Sequence, residues 1–329
     1  MILARAPLRI TLGGGGTDLP SYYTRHRGFV LSAAINKYVY IYVNRPAADT
    51  LLRVKYSRYE QVSSVDEIQH DLVRPALKLL GVDGALEIVS MADVPDGTGL
   101  GSSGSYLVAV LTALHELKRE RIPTQDLAEL AVHIEMDLAR HPVGKQDHYL
   151  AAFGGITCLE IAQSGAVAVT PLTLGGDDAE ELRRWIVLFF TGLQRSSREI
   201  LGAQDADTRE AKVTILDSLH RTKEIGYRIK EALERGDLPK FGQLLEEHWQ
   251  NKKRRSDRIS DVKIDRWYDL ARTQGALGGK LVGAGGGGFL MLCCPPSVRA
   301  SVREALAAEG LREMPFAFDF EGAKVLVNF

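Results

Sequence analysis

Three short glycine clusters constrain the fold of this chain more than any other feature of its sequence. They are Gly13–Gly16, then Gly97, Gly99, Gly101 and Gly104, then Gly283 with Gly285–Gly288. Glycine loses more conformational entropy on folding than other residues, so such clusters indicate backbone that approaches another group closely or adopts positive φ angles. We therefore expect three tightly packed or ligand-binding turns rather than flexible linkers.

The composition excludes several classes of protein. The 329 residues carry 41 basic and 42 acidic side chains, so there is neither a basic footprint for nucleic acid nor a polybasic membrane patch. The cysteines Cys158, Cys293 and Cys294 show neither a disulfide framework nor zinc-binding spacing. No apolar run approaches the ~18 residues of a membrane span, and the first residues alternate without an apolar signal segment. We expect a cytoplasmic chain with no nucleic-acid or membrane partner.

Hydrophobic periodicity predicts an α+β fold in two domains. The first 91 residues follow strand patterns, interrupted by a short helix around Leu72–Leu80. Helical patterns start at Ser103 and again with Thr124 as the N-cap, and they dominate much of the second half. A Gly-Gly-Asp-Asp turn signal suggests the boundary. We expect an N-terminal mixed α/β domain over 1–175 and a helix-rich C-terminal α+β domain over 176–329.

The segment Val94–Ser105 predicts a phosphate-binding loop. It follows a strand and opens an apolar helix, so its backbone N–H groups and the positive end of the helix dipole would meet at one anion site. Gly99–Gly104 also fits the dinucleotide fingerprint G-x-G-x-x-G, but a second amphipathic helix follows where that fold needs a parallel strand. The chain contains no Walker A motif. A purely structural glycine turn is the remaining alternative for this segment.

The glycine motifs together resemble those of one enzyme superfamily, the GHMP kinases. The three segments similar to its motifs, in this order and spacing, are Arg5–Asp18, Val94–Ser105 and Lys280–Phe289. The segments most similar to the D-glycero-D-manno-heptose 7-phosphate kinases within it are Arg5–Arg9, Gly14–Tyr23 and Pro142–Asp147. The resemblance implies a two-domain GHMP kinase fold with the active-site cleft between the domains. It also implies ATP-dependent phosphorylation of the anomeric hydroxyl of a heptose 7-phosphate, giving a heptose 1,7-bisphosphate for nucleotide-activated heptose and surface polysaccharide.

The resemblance further implies roles for residues around the predicted loop. The residues that would wrap the ATP phosphates are Gly97, Gly99, Gly101, Ser102, Ser103 and Gly104. Ser103 would bind Mg²⁺ together with Glu135, which without the family pattern would be interpreted as a solvated helix carboxylate. Asp147 would accept the proton of the sugar hydroxyl, and Arg9 would keep that carboxylate ionised, because an adjacent cation favours the charged form. Taken alone, Asp147 indicates a helix cap and Arg9 an ion pair on a strand.

Acceptor binding is assigned by resemblance to the first motif. Asp18 would hydrogen-bond sugar hydroxyls, with Gly15, Gly16 and Thr17 beside it, and an Asx turn is the structural alternative for Asp18. Galactokinases carry Glu-His where this chain has Gly15 and Gly16, which removes galactose contacts and leaves room for a bulkier acceptor. The distal phosphate needs a cationic partner. Its first candidate is Arg195, and the others are Arg198, Lys37, Arg140 and His141.

Three interpretations of function stay open on the sequence alone. The preferred one is an ATP- and Mg²⁺-dependent sugar-phosphate 1-kinase whose partners are the sugar phosphate and ATP. A fucokinase-like or galactokinase-like enzyme would share the fold but take an unphosphorylated sugar. A non-catalytic sugar-phosphate sensor would have no need to combine Ser103, Glu135 and Asp147. A homodimer is compatible with each of them.

The basic run Lys252–Arg255 would fit a nucleic-acid patch if it stood alone. It lies on a predicted helix among Glu246, Glu247 and Asp257. Mixed charge of this kind is typical of a solvated helix face, which is the interpretation we expect to hold.

Overall fold

Strands and helices alternate along the chain and form two sheets with their covering helices. The computed structural model describes residues 1–175, 177–193, 197–210, 212–256 and 258–329, without the side chains of 197 and 198. The strands are β1 (Ile2–Gly13), β2 (Gly28–Asn44), β3 (Leu52–Lys55), β4 (Tyr59–Val62), β5 (Leu86–Ala92), β6 (Ile156–Ile161), β7 (Val167–Pro171), β8 (Ile186–Phe190), β9 (Gly278–Leu281), β10 (Phe289–Cys293), β11 (Arg312–Glu313) and β12 (Lys324–Asn328). The helices are α1 (Pro20–His26), α2 (Val73–Leu80), α3 (Ser102–Lys118), α4 (Thr124–Val132), α5 (Gln146–Phe153), α6 (Asp178–Trp185), α7 (Ser197–Arg209), α8 (Val213–Glu234), α9 (Leu238–Lys253), α10 (Val262–Thr273) and α11 (Arg299–Ala308).

The larger sheet is organised around the long strand β2. Strand β1 pairs antiparallel with one edge of β2, while β6 and β5 pair with the two halves of its other edge. The order along the main path is β12-β1-β2-β5-β3-β4, with β7 added beside β6. The register of β1 against β2 shifts between Pro7 and Leu8 and again between Thr11 and Gly13, as at β-bulges. Bulges bend a strand and redirect its side chains, and these two flank the segment that carries Arg9.

The smaller sheet belongs to the second half of the chain. Its four strands are ordered β11-β8-β10-β9 and all pair antiparallel. Helices α10 and α11 cover one face through a core that includes Trp267, Tyr268 and Val302. The other side contributes Met291 and Cys293 to the main core, which also contains residues of α3, α5 and α8. Alternate residues of β10 therefore face two cores, as the period of a strand requires.

The predicted α+β fold is confirmed, and the structure corrects one local prediction. Thr124 is the first residue of α4, and Pro123 stands at the N-cap position instead. Within the described residues, the helical patterns of the second half include the helices α7 to α10. The division at residue 175 stays a prediction, although the final strand β12 pairs with β1 in the larger sheet. Within the described residues no helix is long and apolar enough to span a membrane.

Candidate active site

The predicted phosphate loop joins the end of β5 to the start of α3. Gly97, Gly99 and Gly101 all have φ between 74° and 83°, and Gly101 directly precedes the first helical residue, Ser102. Strand β1 is hydrogen-bonded to the loop, because the Arg9 N–H donates to the Leu100 carbonyl at 2.9 Å. The unpaired N–H groups of the first turn of α3 thus open beside a glycine-rich loop, which is the geometry that favours phosphate.

The third glycine cluster packs directly on this loop. A Cβ placed on Gly283 would lie 2.6 Å from the Gly99 carbonyl oxygen, and one on Gly288 would lie 2.1 Å from the Thr98 carbonyl oxygen. Backbone therefore touches backbone between residues nearly two hundred positions apart. The contact fixes the phosphate loop against the smaller sheet and explains why both segments are rich in glycine.

Asp147 and Arg9 form an ion pair under the loop. The Arg9 Nε and Nη2 atoms both lie 2.7 Å from Asp147 Oδ1, and Arg9 Nη1 donates to the Gly99 carbonyl at 2.5 Å. Arg9 is 4% exposed, whereas the Asp147 side chain is 21% exposed. One carboxylate oxygen is thus held by the guanidinium while the other stays available in the cavity. The structure brings together the two residues predicted to act as base and cation.

Asp18 lies in the same cavity on the first glycine turn. Its Oδ2 accepts the Gln146 N–H and its Oδ1 accepts the Gly16 N–H, both at 3.1 Å. Gly144 leaves the room that this carboxylate occupies, since a Cβ there would be 2.0 Å from Asp18 Oδ2. Burial raises the pKa of Asp18, and the backbone N–H groups oppose that effect. Gly15 and Gly16, the predicted acceptor-binding glycines, line the cavity beside it.

Thr17 has a different place from its predicted neighbours. It is fully buried, and its hydroxyl oxygen lies 2.8 Å from the carbonyl oxygens of both Gly14 and Phe29, to either of which its one proton can be donated, while it accepts the Phe29 N–H at 3.0 Å. These bonds fasten the glycine turn to β2. Among the described residues its hydroxyl is thus used by backbone, and Thr17 supports the turn on which Asp18 stands.

Glu135 is a buried carboxylate between two histidines. It is 1% exposed, His148 Nε2 lies 2.7 Å from its Oε2, and His141 Nδ1 lies 3.2 Å from its Oε1. Burial alone would raise the pKa of this carboxyl, but hydrogen bonds from His141, His148 and Ser103 outweigh burial and lower the pKa to about 2. The carboxylate is therefore ionised at neutral pH and lies next to the Ser103 hydroxyl of the phosphate loop.

The Ser103 hydroxyl and the Glu135 carboxylate suit a magnesium ion. Mg²⁺ prefers hard oxygen ligands and is commonly held by one or two carboxylates together with phosphate oxygens and waters. Within the described residues no cluster of three or more His, Cys, Asp and Glu side chains could hold a metal by itself. Ser103 and Glu135 fit a Mg²⁺ that a nucleotide brings with it, and the histidines would orient the carboxylate from behind.

Two cavities open on either side of the loop. One has a volume of about 390 Å³ and is lined by Ser102 and Ser103 together with the aromatic side chains Tyr56, His70 and Tyr106. The other contains Arg9, Asp147, Asp18, Gly15 and Gly16. Asp147 also borders the loop, since Cβ atoms on Gly101 and Gly104 would contact it. A phosphate on the loop would therefore lie between the first cavity and the Asp147 carboxylate.

The second cavity also contains cations that the sequence interpretation missed. Lys252 and Arg255 are only 6% and 7% exposed and line it, together with Lys280 at 2%. The expectation of a solvated helix face for Lys252–Arg255 is therefore wrong for these two residues. Lys253 points elsewhere and pairs with Asp265 at 3.1 Å.

A signal for this burial was present in the helical period. The buried stripe of α9 includes Phe241, Leu245 and His248, and steps of three and four residues extend it to Lys252 and Arg255. The predicted phosphate partner Arg195 lies outside the described residues, as do the side-chain contacts of Arg198.

Comparison with known proteins places the site in a family context. The model for the GHMP kinases N terminal domain matches residues 70–155, and the GHMP kinases C terminal model matches residues 229–311. The chain is 31% identical to a D-glycero-alpha-D-manno-heptose 7-phosphate kinase of Campylobacter jejuni, with 98% of each chain covered. It is 25% identical to a galactokinase of Pyrococcus furiosus, with 94% of each chain covered.

Among solved structures, the chain is similar to a D-glycero-D-manno-heptose 1-phosphate kinase from Bacteroides thetaiotaomicron. The TM-score is 0.83 at 27% sequence identity, and both chains are covered completely. The two heptose kinases share a phosphorylated heptose in their names and differ in the position of its phosphate.

Proposed function

The chain belongs to the GHMP kinase family and is a sugar kinase, and we propose that it transfers the γ-phosphoryl group of ATP to O1 of D-glycero-D-manno-heptose 7-phosphate. The product is heptose 1,7-bisphosphate, and ADP leaves. The observation that carries the proposal is the Arg9–Asp147 pair beneath the glycine loop, in a cavity that also contains Asp18. The choice of heptose 7-phosphate as the acceptor follows the name of the Campylobacter jejuni relative.

Asp147 acts as the general base in this proposal. Its free oxygen accepts the proton of the anomeric hydroxyl while the O1 oxygen forms a bond to the γ-phosphorus, and the bond from that phosphorus to the bridging oxygen of ADP breaks. A general base positioned in this way supplies about 10²- to 10⁴-fold in rate. Arg9 holds the other oxygen and so keeps the carboxylate pointed at the acceptor.

The loop residues hold the triphosphate. The N–H groups at the start of α3 and the residues Gly97, Gly99, Gly101, Ser102, Ser103 and Gly104 surround its phosphate oxygens. Ser103 and Glu135 would hold the Mg²⁺ that accompanies ATP, and the ion would supply positive charge to offset that of the phosphates. The aromatic cavity lined by Tyr56, His70 and Tyr106 takes the nucleoside. This arrangement stabilises charge and aligns the reactants, as phosphoryl transfer requires.

Asp18 positions the acceptor. Both its oxygens already accept backbone N–H groups, and the remaining lone pairs face the cavity beside Gly15 and Gly16. A carboxylate accepts hydrogen bonds from sugar hydroxyls, and the two glycines leave space for a seven-carbon sugar. The product would serve a cytoplasmic route to nucleotide-activated heptose for surface polysaccharide.

A substrate panel at saturating ATP and Mg²⁺ tests this proposal. The panel contains heptose 7-phosphate, heptose 1-phosphate, unphosphorylated heptose, galactose, fucose and mannose 6-phosphate, with ADP release as the readout. The proposal predicts the highest kcat/KM for heptose 7-phosphate. Preference for heptose 1-phosphate would mean that the phosphoryl group is transferred to the other end of the sugar. Preference for galactose or fucose would favour a galactokinase-like or fucokinase-like enzyme. No turnover with any acceptor would favour a non-catalytic sensor.

A further inference from the structure

Three buried cations in the acceptor cavity have no carboxylate partner in the part of the chain that the structure describes. Lys252 at the end of α9, Arg255 just after it and Lys280 in β9 line the cavity that contains Asp147. Among the described residues no Asp or Glu lies within ion-pair distance of any of them. Lysine and arginine side chains are almost never this deeply buried unless they are paired.

Neutral groups accept only some of the hydrogen bonds that these three cations can donate. Lys252 Nζ donates to the carbonyls of Leu281 at 3.2 Å and Gly283 at 2.6 Å. Lys280 Nζ donates to the Leu12 carbonyl at 3.3 Å, and Arg255 donates to the hydroxyls of Ser218 and Thr222. A lysine ammonium has three N–H groups and a guanidinium has five. Each of the three cations therefore keeps at least one donor beyond the bonds to these groups.

Burial and mutual repulsion disfavour the positive charge of these side chains. Burial, and then the neighbouring Arg255 and Arg9, lower the pKa of Lys252 to about 7. Burial and the same neighbours, with Lys252, lower the pKa of Lys280 well below its usual value. Buried cations without partners destabilise a fold, so this cluster makes physical sense when an anion joins it.

The charge count indicates the size of that anion. The ionisable side chains lining the cavity are four cations, Arg9, Lys252, Arg255 and Lys280, and two carboxylates, Asp18 and Asp147. The cavity thus has a formal excess of two positive charges. A phosphate monoester carries about −1.5 to −2 at neutral pH, which matches this excess. Resting on the proposed function, we propose that Lys252, Arg255 and Lys280 bind the distal phosphate of the acceptor and thereby select a phosphorylated sugar.

The acceptor, and not ATP, is the source of this phosphate. Ser102 and Ser103 of the phosphate loop line the other cavity. Arg255 lies next to the glycine turn that carries Asp18, since a Cβ on Gly16 would be 3.2 Å from the Arg255 Nη1 atom and the Gly16 N–H donates to Asp18. Any side chain at position 16 would therefore press against Arg255. Because Gly16 has no side chain, the Arg255 guanidinium can reach the cavity.

The test compares phosphorylated and unphosphorylated heptose in charge variants. We expect Arg255→Gln and Lys280→Met to raise KM for heptose 7-phosphate about 10- to 100-fold, because each removes a charge-assisted hydrogen bond. The kcat/KM for unphosphorylated heptose should stay within about twofold, so the ratio between the two acceptors falls. Arg255→Lys keeps the charge but loses the fork, and it should recover part of the loss. Lys253→Met is the matched control, since Lys253 pairs with Asp265 outside the cavity.

Equal losses with both acceptors would overturn the proposal, because the cluster would then serve the transferred phosphoryl group or the fold. Unchanged KM for heptose 7-phosphate would overturn it as well. A second readout does not depend on the proposed reaction: inorganic phosphate should raise the Tm of the wild type and of Lys253→Met more than that of Arg255→Gln, because the phosphate loop can bind the ion in all three proteins. If the wild type prefers another acceptor, the proposed function fails while this phosphate-dependent shift still tests the anion site. Equal shifts in all variants would contradict it.

Discussion

The Cβ atom of Asp147 lies 2.7 Å from the point at which a side chain on Gly104 would begin. The first turn of α3, which offers N–H groups to phosphate, and the first turn of α5, which carries the proposed base, therefore touch without a side chain between them. This contact sets the distance between phosphate and carboxylate. It gives Gly104 a role that its place in a glycine-rich loop alone does not explain.

Replacing Gly104 with alanine should displace Asp147. We expect Gly104→Ala to lower kcat about 100-fold, because a shift of roughly 1 Å in a reacting group costs about that much. KM for ATP should change little. The control is Gly202→Ala in α7, where an added Cβ would meet Pro142 at 3.7 Å and no other described residue within 4 Å. Wild-type kcat in Gly104→Ala would show that α5 can move away without loss.

Asp147→Asn tests the base itself. The amide has nearly the same shape but cannot accept the hydroxyl proton as readily, so kcat should fall about 10²- to 10⁴-fold. ATP binding, measured by calorimetry, should be preserved. Turnover that matches the wild type would remove Asp147 from the mechanism.

Glu135→Gln tests whether Glu135 binds Mg²⁺. The amide keeps the shape but loses the charge, so we expect the Mg²⁺ concentration that half-saturates the rise in Tm with ATP present to increase at least about 10-fold. The increase should be absent in Glu129→Gln, since Glu129 accepts a bond from Tyr149 and lies apart from the cluster. An identical Mg²⁺ dependence in wild type and Glu135→Gln would exclude Glu135 as a ligand.

Lys252→Met should stabilise the empty protein. In the folded state the pKa of Lys252 is about 7, below the ordinary lysine value of 10.5. Between these values the unfolded chain binds more protons, so the free energy of unfolding of the wild type rises with pH. We expect the methionine variant to have the higher Tm at pH 7 in phosphate-free buffer, and the difference to shrink towards pH 9.5. A difference independent of pH would mean that Lys252 is not a buried cation in the folded protein.

The sequence identifies the site best where the chemistry requires a backbone property. Gly99, Gly101 and Gly104 are glycines because a Cβ there would meet the Val282 carbonyl, the side chains of Asp147 and Arg9, or the Asp147 Cβ and backbone. This requirement is visible in the printed sequence as a run of glycines. Arg9 and Asp147 are recognised through the same motifs, and they form one ion pair in the structure.

The cation cluster illustrates what local patterns cannot provide. A run of four basic residues predicts a solvated face as long as the charges are counted without regard to helical phase. Lys252 continues the buried stripe of α9, whereas Lys253, one residue later, is turned about 100° away towards Asp265. Lys280 comes from β9, and only the tertiary fold brings it beside α9. The buried histidines around Glu135 likewise come from separate segments, at 141 and 148.

The most direct test of the central claim is the ³¹P NMR spectrum of the product formed from ATP and heptose 7-phosphate. The account predicts one sugar carrying two phosphorus resonances, with the new phosphate coupled to the anomeric proton. A new phosphate coupled to any other proton of the sugar, or recovery of unchanged heptose 7-phosphate, would contradict it.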